Sequence, residues 1–324
     1  MEKYKVLITD HEMKNLDCER EILGKIGAQL IDVQCKTEQE IIEKGQGVDG
    51  LLVDYAPIGE NIFKSLPQIK VVARYGVGYD KIDVRAANKY GVCVVNVPNY
   101  CTEEVSDHAF TLLMASVRKI VLFDHWVKKG NWDYNFSKPI YRLKNKNMGI
   151  IGFGNIARRL VEKLQPFKMN ILVYDPFVHP DVEKEFGVTL SDLSKLLIES
   201  DYISIHTPLY DNTHHLIGEK ELNLMKNSAY IVNTSRGGVI YEKALIDALR
   251  NKKIAGAALD VFAIEPINKD NPLLSMENVI LTPHVGWYSE ESQRELQTKA
   301  AQGVADVLMK KRPDFLVNPE VWKD

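Results

Sequence analysis

Along most of the chain, short apolar runs alternate with stretches whose charges are spaced for helices. In the first hundred residues YKVLIT, AQLIDV, GLLVD, VVARYG and VCVVNV read as strands, and Cys18–Ile26, Glu38–Lys44 and Ile82–Tyr90 read as helices between them. That alternation predicts a parallel sheet covered by helices. The first run of it should end near Pro98. From Lys146 it begins again, with strands at Met148–Ile151, Asn170–Tyr174, Tyr202–Ile205, Ala229–Asn233, Ala255–Asp260 and Asn278–Leu281. Helices are expected at Glu219–Met225 and Glu242–Arg250. A long one should run from Ser289 to about Lys311, before Pro313 and a short polar tail.

Two stretches depart from the alternation. Thr102 can cap a helix whose positive end is favoured by Glu103 and Glu104. The run that follows, to about Val127, is apolar on more than one face and so is expected to be buried on more than one side, by a second domain or a second subunit. Lys129–Lys146 reads as a long loop with exposed Trp132, Tyr134, Phe136 and Tyr141, a surface that a dimer contact would cover.

Candidate chemistry begins at MGIIGFGNIARRL, Met148 to Leu160, where a buried strand turns into a helix. Gly152, Gly154 and Ala157 form the pattern G-x-G-x-x-A, which suits a tight turn with bare amides facing a pyrophosphate. A second strand, NILVYD, ends in Asp175, about 20 residues on, where an acid would grip the adenosine ribose hydroxyls. Asp175 would repel a 2′-phosphate, and Pro176 and Phe177 stand where an arginine would be wanted, so NAD(H) is expected over NADP(H). Arg158 and Arg159 read as solvated, or at most as pyrophosphate contacts.

Composition narrows the class. With 324 residues, 45% of them hydrophobic and 26% charged, two ordinary globular domains are expected. The net charge of −3 offers no footprint for nucleic acid. No apolar run approaches the roughly 20 residues that a membrane span needs. The N-terminus enters a strand at once, so no secretory signal is expected and the location should be cytoplasmic. Cys18, Cys35, Cys93 and Cys101 lack metal-ligand spacing; no metal site is expected and the thiols should be reduced.

In a doubly wound sheet all strands end at one edge, where ligands bind. In the second half of the chain that edge should carry Gly152, Asp175, His206 with Pro208 in HTP, Arg236 in NTSRGG, Asp260 and Glu265 in LDVFAIEP, and His284 in LTPHVGW. An arginine, a glutamate and a histidine beside a nicotinamide are the equipment for hydride transfer to a carbonyl next to a carboxylate. Arg236 offers a fork that matches the carboxylate and polarises the carbonyl. His284 can give or take the alcohol proton near neutral pH. Glu265 would hold the imidazole and favour its charged form. Each alone has a plainer reading, as a solvated charge, a loop acid or a helix cap. They gain weight by sharing one edge with the glycine turn. His11, His108, His125, His179, His214 and His215 read as structural or surface.

These motifs together resemble the D-isomer-specific 2-hydroxyacid dehydrogenases. The likeness spans nearly the whole chain, through RYGVGYDKID, VPNYCTEEVSDHA, GIIGFGNIA with YDP, HTPLYDNTHHLI, VNTSRGGVI, GAALDVFAIEP and TPHVGWYSEE. HHLI and Trp287-Tyr288-Ser289-Glu290 are most similar to the C-terminal-binding-protein branch. The resemblance implies two doubly wound parallel-sheet domains: a Rossmann NAD domain, residues 99–288, inserted in a flavodoxin-like substrate domain made of residues 1–98 and 289–324. It implies that Arg236, Glu265 and His284 are catalytic, and that Thr102, Asn155, Ile156, Thr207, Thr213, Thr234, Ser235 and Asp260 surround the cofactor. It assigns the substrate carboxylate to the amides of Val77 and Gly78, with Arg74 and Trp287 lining the pocket. It also implies closure of a cleft on substrate and a homodimer formed through the cofactor domain. The family often has arginine at Asn155 and aspartate at Tyr241, so a pyrophosphate contact and a helix cap are weakened here. Phosphoglycerate dehydrogenases usually carry an arginine near the loop that here reads Tyr55-Ala56-Pro57-Ile58, which counts against a phosphorylated substrate. The expected function is reversible, NAD-dependent reduction of a small, uncharged 2-keto acid. The rival reading is an NADH-sensing corepressor, against which the complete Arg, Glu and His set counts.

Overall fold

The chain's structure, a computed structural model, describes residues 3–323; Met1, Glu2 and Asp324, at the outer ends of the expected segments 1–98 and 289–324, lie outside the described residues. Two units are distinguished: one contains the residues up to Cys101 and from Ser289 on, the other Thr102–Tyr288.

In the first unit the apolar runs become β1 (Tyr4–Ile8), β2 (Ala28–Asp32), β3 (Gly50–Val53), β4 (Val71–Arg74) and β5 (Cys93–Val95). The helices between them are α1 (Asp17–Lys25), α2 (Glu38–Lys44), α3 (Glu60–Ser65) and α4 (Val84–Tyr90). All pairings are parallel, in the order β2-β1-β3-β4-β5, the flavodoxin-like order. Every residue of β3 is buried, as befits a central parallel strand covered on both faces. Helix starts follow their side chains: Thr37 accepts from the Glu40 amide and Asp83 from the Ala86 amide.

The second unit opens with α5 (Thr102–Val117) and α6 (Ile120–Lys128). The strands and helices that follow are β6 (Asn147–Ile151), α7 (Asn155–Leu164), β7 (Asn170–Tyr174), α8 (Val182–Phe186), β8 (Thr189–Leu190), α9 (Leu193–Glu199) and β9 (Tyr202–Ile205). Then come α10 (Glu219–Leu224), β10 (Tyr230–Asn233), α11 (Glu242–Arg250), β11 (Gly256–Leu259) and β12 (Val279–Leu281). The seven parallel strands lie in the order β12-β11-β10-β9-β6-β7-β8, which is the Rossmann order with one strand added. Sequence order reverses between β6 and β9, the switch point where such sheets bind ligands.

The register decides which residues meet there. Ile151 pairs with Tyr174 and with Ile205, Ile205 with Asn233, Asn233 with Leu259, and Leu259 with Leu281. One residue later the chain leaves each strand, so Gly152, Asp175, His206, Thr234, Asp260 and Thr282 form a row along one edge.

One expectation about the run after Thr102 is corrected. It does not run unbroken to Val127: Lys119 adopts a left-handed conformation, φ 53°, and separates α5 from α6. Burial also stops at the break. α5 buries Val105, Ala109, Leu112, Leu113 and Val117, whereas no residue of α6 is buried. Trp132, Tyr134, Phe136 and Tyr141 are exposed, as expected of that loop.

The chain returns to the first unit through α12 (Glu290–Leu308). Ser289 and Ser292 cap its start reciprocally, each hydroxyl accepting from the other's amide. α12 packs on α1, β3 and β4. The following tail covers the edge of β5: the Val317 amide donates to Val94 O and the Val94 amide to Asn318 Oδ1, while Asn318 Nδ2 donates to Val92 O. Among the described residues no helix is long and apolar enough to cross a membrane.

Candidate active site

At the switch point of the second unit, Gly152 ends β6 with φ 84°, and a Cβ there would lie 2.8 Å from the Thr207 amide nitrogen. Its glycine is required by conformation and by the close approach of the next loop. Gly154 is different. Its backbone is extended, φ −77° and ψ −171°, and a Cβ there would meet nothing within 4 Å. Among the described residues nothing calls for glycine there, and the open space lies at the N-terminus of α7, where a phosphate would need the backbone bare. Asn155 begins that helix, exposed, and Ile156 is half-buried on its first turn. Ala157 is fully buried between helix and sheet.

Asp175 is anchored by the same turn: its Oδ2 accepts from the Phe153 amide at 2.8 Å and its Oδ1 from the Phe177 amide at 2.9 Å. Both bonds hold an acid at the strand end expected for ribose recognition. After β9, His206 hydrogen-bonds Ser204 Oγ at 2.8 Å, and burial pushes its imidazole down to about 4, so it is neutral at neutral pH. Half-buried Thr207 and exposed Pro208 follow, and Thr213 closes the loop by donating to Pro208 O and accepting from the Tyr210 amide. After β10, the Thr234 hydroxyl is buried and has no hydrogen-bond partner among the described residues. A buried hydroxyl left unpaired calls for a bound group. The Gly154 space, the Asp175 position and the Thr234 hydroxyl all fit a dinucleotide. Thr102 lies at the start of α5.

Three side chains meet beside this row. Asn233, buried at the end of β10, accepts from the Ser235 amide and hydroxyl and donates to Arg236 O, and so fixes the turn that presents Arg236. Gly237 presses this turn against the next loop: a Cβ there would lie 1.9 Å from Phe262 C and 2.0 Å from its oxygen. In that next loop Glu265 Oε1 accepts from the Phe262 amide at 2.9 Å, and Oε2 faces His284 Nδ1 at 2.7 Å. Burial pushes the Glu265 carboxyl up, but the His284 contact, the Phe262 amide and the Arg236 charge hold it below the usual carboxylate range. Glu265 is therefore ionised at neutral pH, facing the imidazole.

His284 itself has φ 52°, a conformation that non-glycine residues rarely adopt. Asp260 imposes it. The Asp260 carbonyl accepts from the His284 amide, Oδ1 accepts from Thr282 Oγ1 and the Val285 amide, and Oδ2 accepts from the Gly286 amide. Burial pushes this carboxyl up, yet its contacts with His108, Thr282 and the two amides hold it down to about 2. Trp287 follows, half-buried and edge-on to Tyr288. Asn233, Gly237, Thr282 and His108 lie inside the quoted motifs, but only the pairing of distant strand ends shows what each of them holds.

In the first unit, Arg74 ends β4 with its guanidinium over Gly76, where a Cβ would lie 1.3 Å from Nη1, and 3.7 Å from Asp54 Oδ1. The Gly76–Gly78 loop is held from outside by Val97 donating to Gly76 O and Asn96 donating to Val77 O. No acceptor among the described residues takes the Val77 or Gly78 amide. Beside it Asp10 accepts from the amides of Asp54, Tyr55 and Ala56 and so sets the loop after β3. Among the described residues no group of three or more histidine, cysteine or acidic side chains could hold a metal ion.

Comparison with known proteins agrees in kind. The family described as "D-isomer specific 2-hydroxyacid dehydrogenase, NAD binding domain" matches residues 110–286. A glyoxylate reductase of Korarchaeum cryptofilum is 42% identical over 293 residues, which are 89% of this chain and 88% of that one. A D-3-phosphoglycerate dehydrogenase of Methanocaldococcus jannaschii is 40% identical over 284 residues, 87% of this chain but 54% of its own length. A solved D-lactate dehydrogenase of Aquifex aeolicus, complexed with NAD and lactic acid, superposes with a TM-score of 0.87 at 28% identity, covering 96% of this chain and 98% of that one.

Proposed function

The chain belongs to the D-isomer specific 2-hydroxyacid dehydrogenases, and we propose that it reduces a small, uncharged 2-keto acid with NADH, reversibly, to the D-2-hydroxy acid. The observation that carries this reading is the 2.7 Å Glu265–His284 pair, on the same sheet edge as Arg236 and the glycine turn. The bare backbone at Gly154 and the N-terminus of α7 would take the pyrophosphate, Asp175 the adenosine ribose, and the Thr234 hydroxyl a polar group of the bound cofactor. When bound, the nicotinamide supplies the hydride.

The chain's own residues do the rest. Arg236 forks onto the substrate carboxylate and polarises the adjacent carbonyl. Glu265 holds Nδ1, so the imidazole presents Nε2, from which a proton passes to the developing alkoxide; in the reverse direction Nε2 takes it back. In this reading Arg74, the Val77 and Gly78 amides and Trp287 are the further substrate-binding residues, as the family resemblance implies. An uncharged side chain is favoured because the loop Tyr55-Ala56-Pro57-Ile58 has no cation to match a phosphate. Glyoxylate, named in a relative, is the first acid to try. The exposed aromatics after α6 support a homodimer through the second unit, which sedimentation would test.

The direct test is His284→Ala. Turnover should fall by about a thousandfold or more, since proton transfer and its orientation are both lost, while NADH binding stays within a few-fold. Turnover equal to that of the unmodified enzyme would overturn the assignment.

A further inference from the structure

His108, on α5, reaches the strand-end row at Thr282 and Asp260, and the proposed reaction leaves it unused. Its Nε2 lies 2.9 Å from Thr282 Oγ1 and 3.4 Å from Asp260 Oδ1. Thr282 Oγ1 is in turn 2.5 Å from Asp260 Oδ1. The directions of these bonds are determined. Asp260 is an ionised carboxylate and can only accept, so the single Thr282 hydroxyl proton points to it. The Thr282 oxygen is then an acceptor towards His108, and Nε2 of His108 carries the proton. One chain of donors therefore runs from His108 to Thr282 to Asp260.

Asp260 is where this chain ends and where the His284 turn begins. Its two oxygens also hold the Val285 and Gly286 amides, and its carbonyl holds the His284 amide. His284 stays at φ 52° only because its surroundings over-determine it. The turn is closed from the α5 side as well: a Cβ on Gly286 would lie 2.9 Å from Asp260 Oδ2 and 3.2 Å from His108 Cδ2.

We propose that His108 and Thr282 are positioning residues for the reaction, which fix the Asp260 carboxylate and through it the turn that sets His284 against Glu265. This rests on His284 being the acid of the proposed reduction. Neither residue touches the reacting atoms in this account. Their loss lets the imidazole wander from its productive geometry, and a displacement of about 1 Å is enough to cost about a hundredfold in rate.

The test uses the whole enzyme with glyoxylate and NADH, and Thr282→Val, Thr282→Ser, His108→Leu and His284→Ala as variants. Steady-state kcat and KM, NADH affinity by fluorescence, and melting temperature are read for each. Thr282→Val, which keeps the volume and removes the hydroxyl, should lower kcat at least about tenfold with KM and NADH affinity within about threefold, the mark of an interaction needed in the transition state. Thr282→Ser, which restores the hydroxyl, should recover kcat to within about threefold. His108→Leu should behave as Thr282→Val; it leaves the Thr282–Asp260 bond and both amide bonds in place, so it carries the test if Thr282→Val fails to fold. Unchanged kcat in His108→Leu or in folded Thr282→Val, with His284→Ala inactive, would overturn this inference and leave the catalytic reading standing. A serine variant as poor as the valine one would also overturn it. A fully active His284→Ala would instead sink the catalytic reading itself.

Discussion

Gly237→Ala tests how closely the Arg236 turn and the Glu265 loop are pressed together. An added Cβ would lie 1.9 Å from Phe262 C, 2.0 Å from Phe262 O and 2.5 Å from the Ala263 nitrogen. Carbon atoms rest at about 3.5–4.0 Å, so the two loops have to part by roughly 1.5 Å. All three atoms belong to backbone, so no side chain can swing away. Phe262 also donates its amide to Glu265, so the shift reaches the acid that faces His284 as well as Arg236. Overpacking of this kind costs about 1–3 kcal/mol. For a unit of about 150–250 residues, each kcal/mol lowers the melting temperature by about 2–4 °C, giving a fall of about 2–12 °C. The catalytic loss should be larger, because a shift of about 1 Å in a catalytic group costs about a hundredfold. Reduction followed by NADH absorbance should therefore show kcat/KM at least about a hundredfold lower in a protein that still folds. Gly238→Ala is the control: its Cβ would press on the flexible end of Leu209, at 3.0 Å, and touch His214 Cδ2 at an ordinary 3.7 Å, so it should be much milder. Gly237→Ala with unaltered kcat/KM and melting temperature would refute the reasoning.

Three further outcomes follow from separate features. Gly154→Ala should leave the cofactor-free melting temperature within a few degrees, because the Cβ meets nothing, but weaken NADH binding by at least about tenfold in calorimetry, because the backbone is no longer bare; unchanged affinity would remove the phosphate from this turn. Asn318→Ala leaves the buried Val94 amide unpaired and should cost about 1–3 kcal/mol in urea unfolding, with NADH affinity untouched; an unmoved midpoint would contradict the clasp. Asp260 is held at about 2 against an unfolded value near 3.9, so its contribution is complete above pH 4 and is lost as pH falls towards 2. That is about 2–3 kcal/mol, and Asp260→Asn should flatten the acid limb of stability between pH 4 and 2; equal slopes for the two proteins would contradict it.

Strand-rich parts of the fold were legible because buried parallel strands are apolar throughout and their helices are not. Asn170–Tyr174, Tyr202–Ile205, Glu38–Lys44 and Glu242–Arg250 have the limits the pattern predicts. The two-residue β8 and the five-residue α8 are too brief for a period to register. The break at Lys119 has no local mark either: lysine is an unusual residue for a left-handed position, and the apolar pattern continues across it. The strand-end row could be read in advance because a parallel sheet brings all its C-terminal ends to one edge. What holds that row could not. His108 meets Thr282 across 174 residues of sequence, and an isolated histidine in a helical run carries no sign of its partner. NTSRGG marks Gly237, but not the Phe262 backbone that lies against it. The Gly76–Gly78 loop is marked in the sequence only by the family resemblance; that its Val77 and Gly78 amides have no acceptor among the described residues is a matter of three-dimensional placement.

The measurement that tests the central claim most directly is NADH oxidation by the purified protein against a panel of 2-keto acids, each repeated with NADPH. The panel comprises glyoxylate, hydroxypyruvate, pyruvate, a branched-chain keto acid, phenylpyruvate, 4-methylthio-2-oxobutyrate and 3-phosphohydroxypyruvate. The account predicts clear turnover of one small uncharged acid, with NADH well ahead of NADPH. Turnover of the phosphorylated acid alone, or NADH binding with no acid reduced, would contradict it.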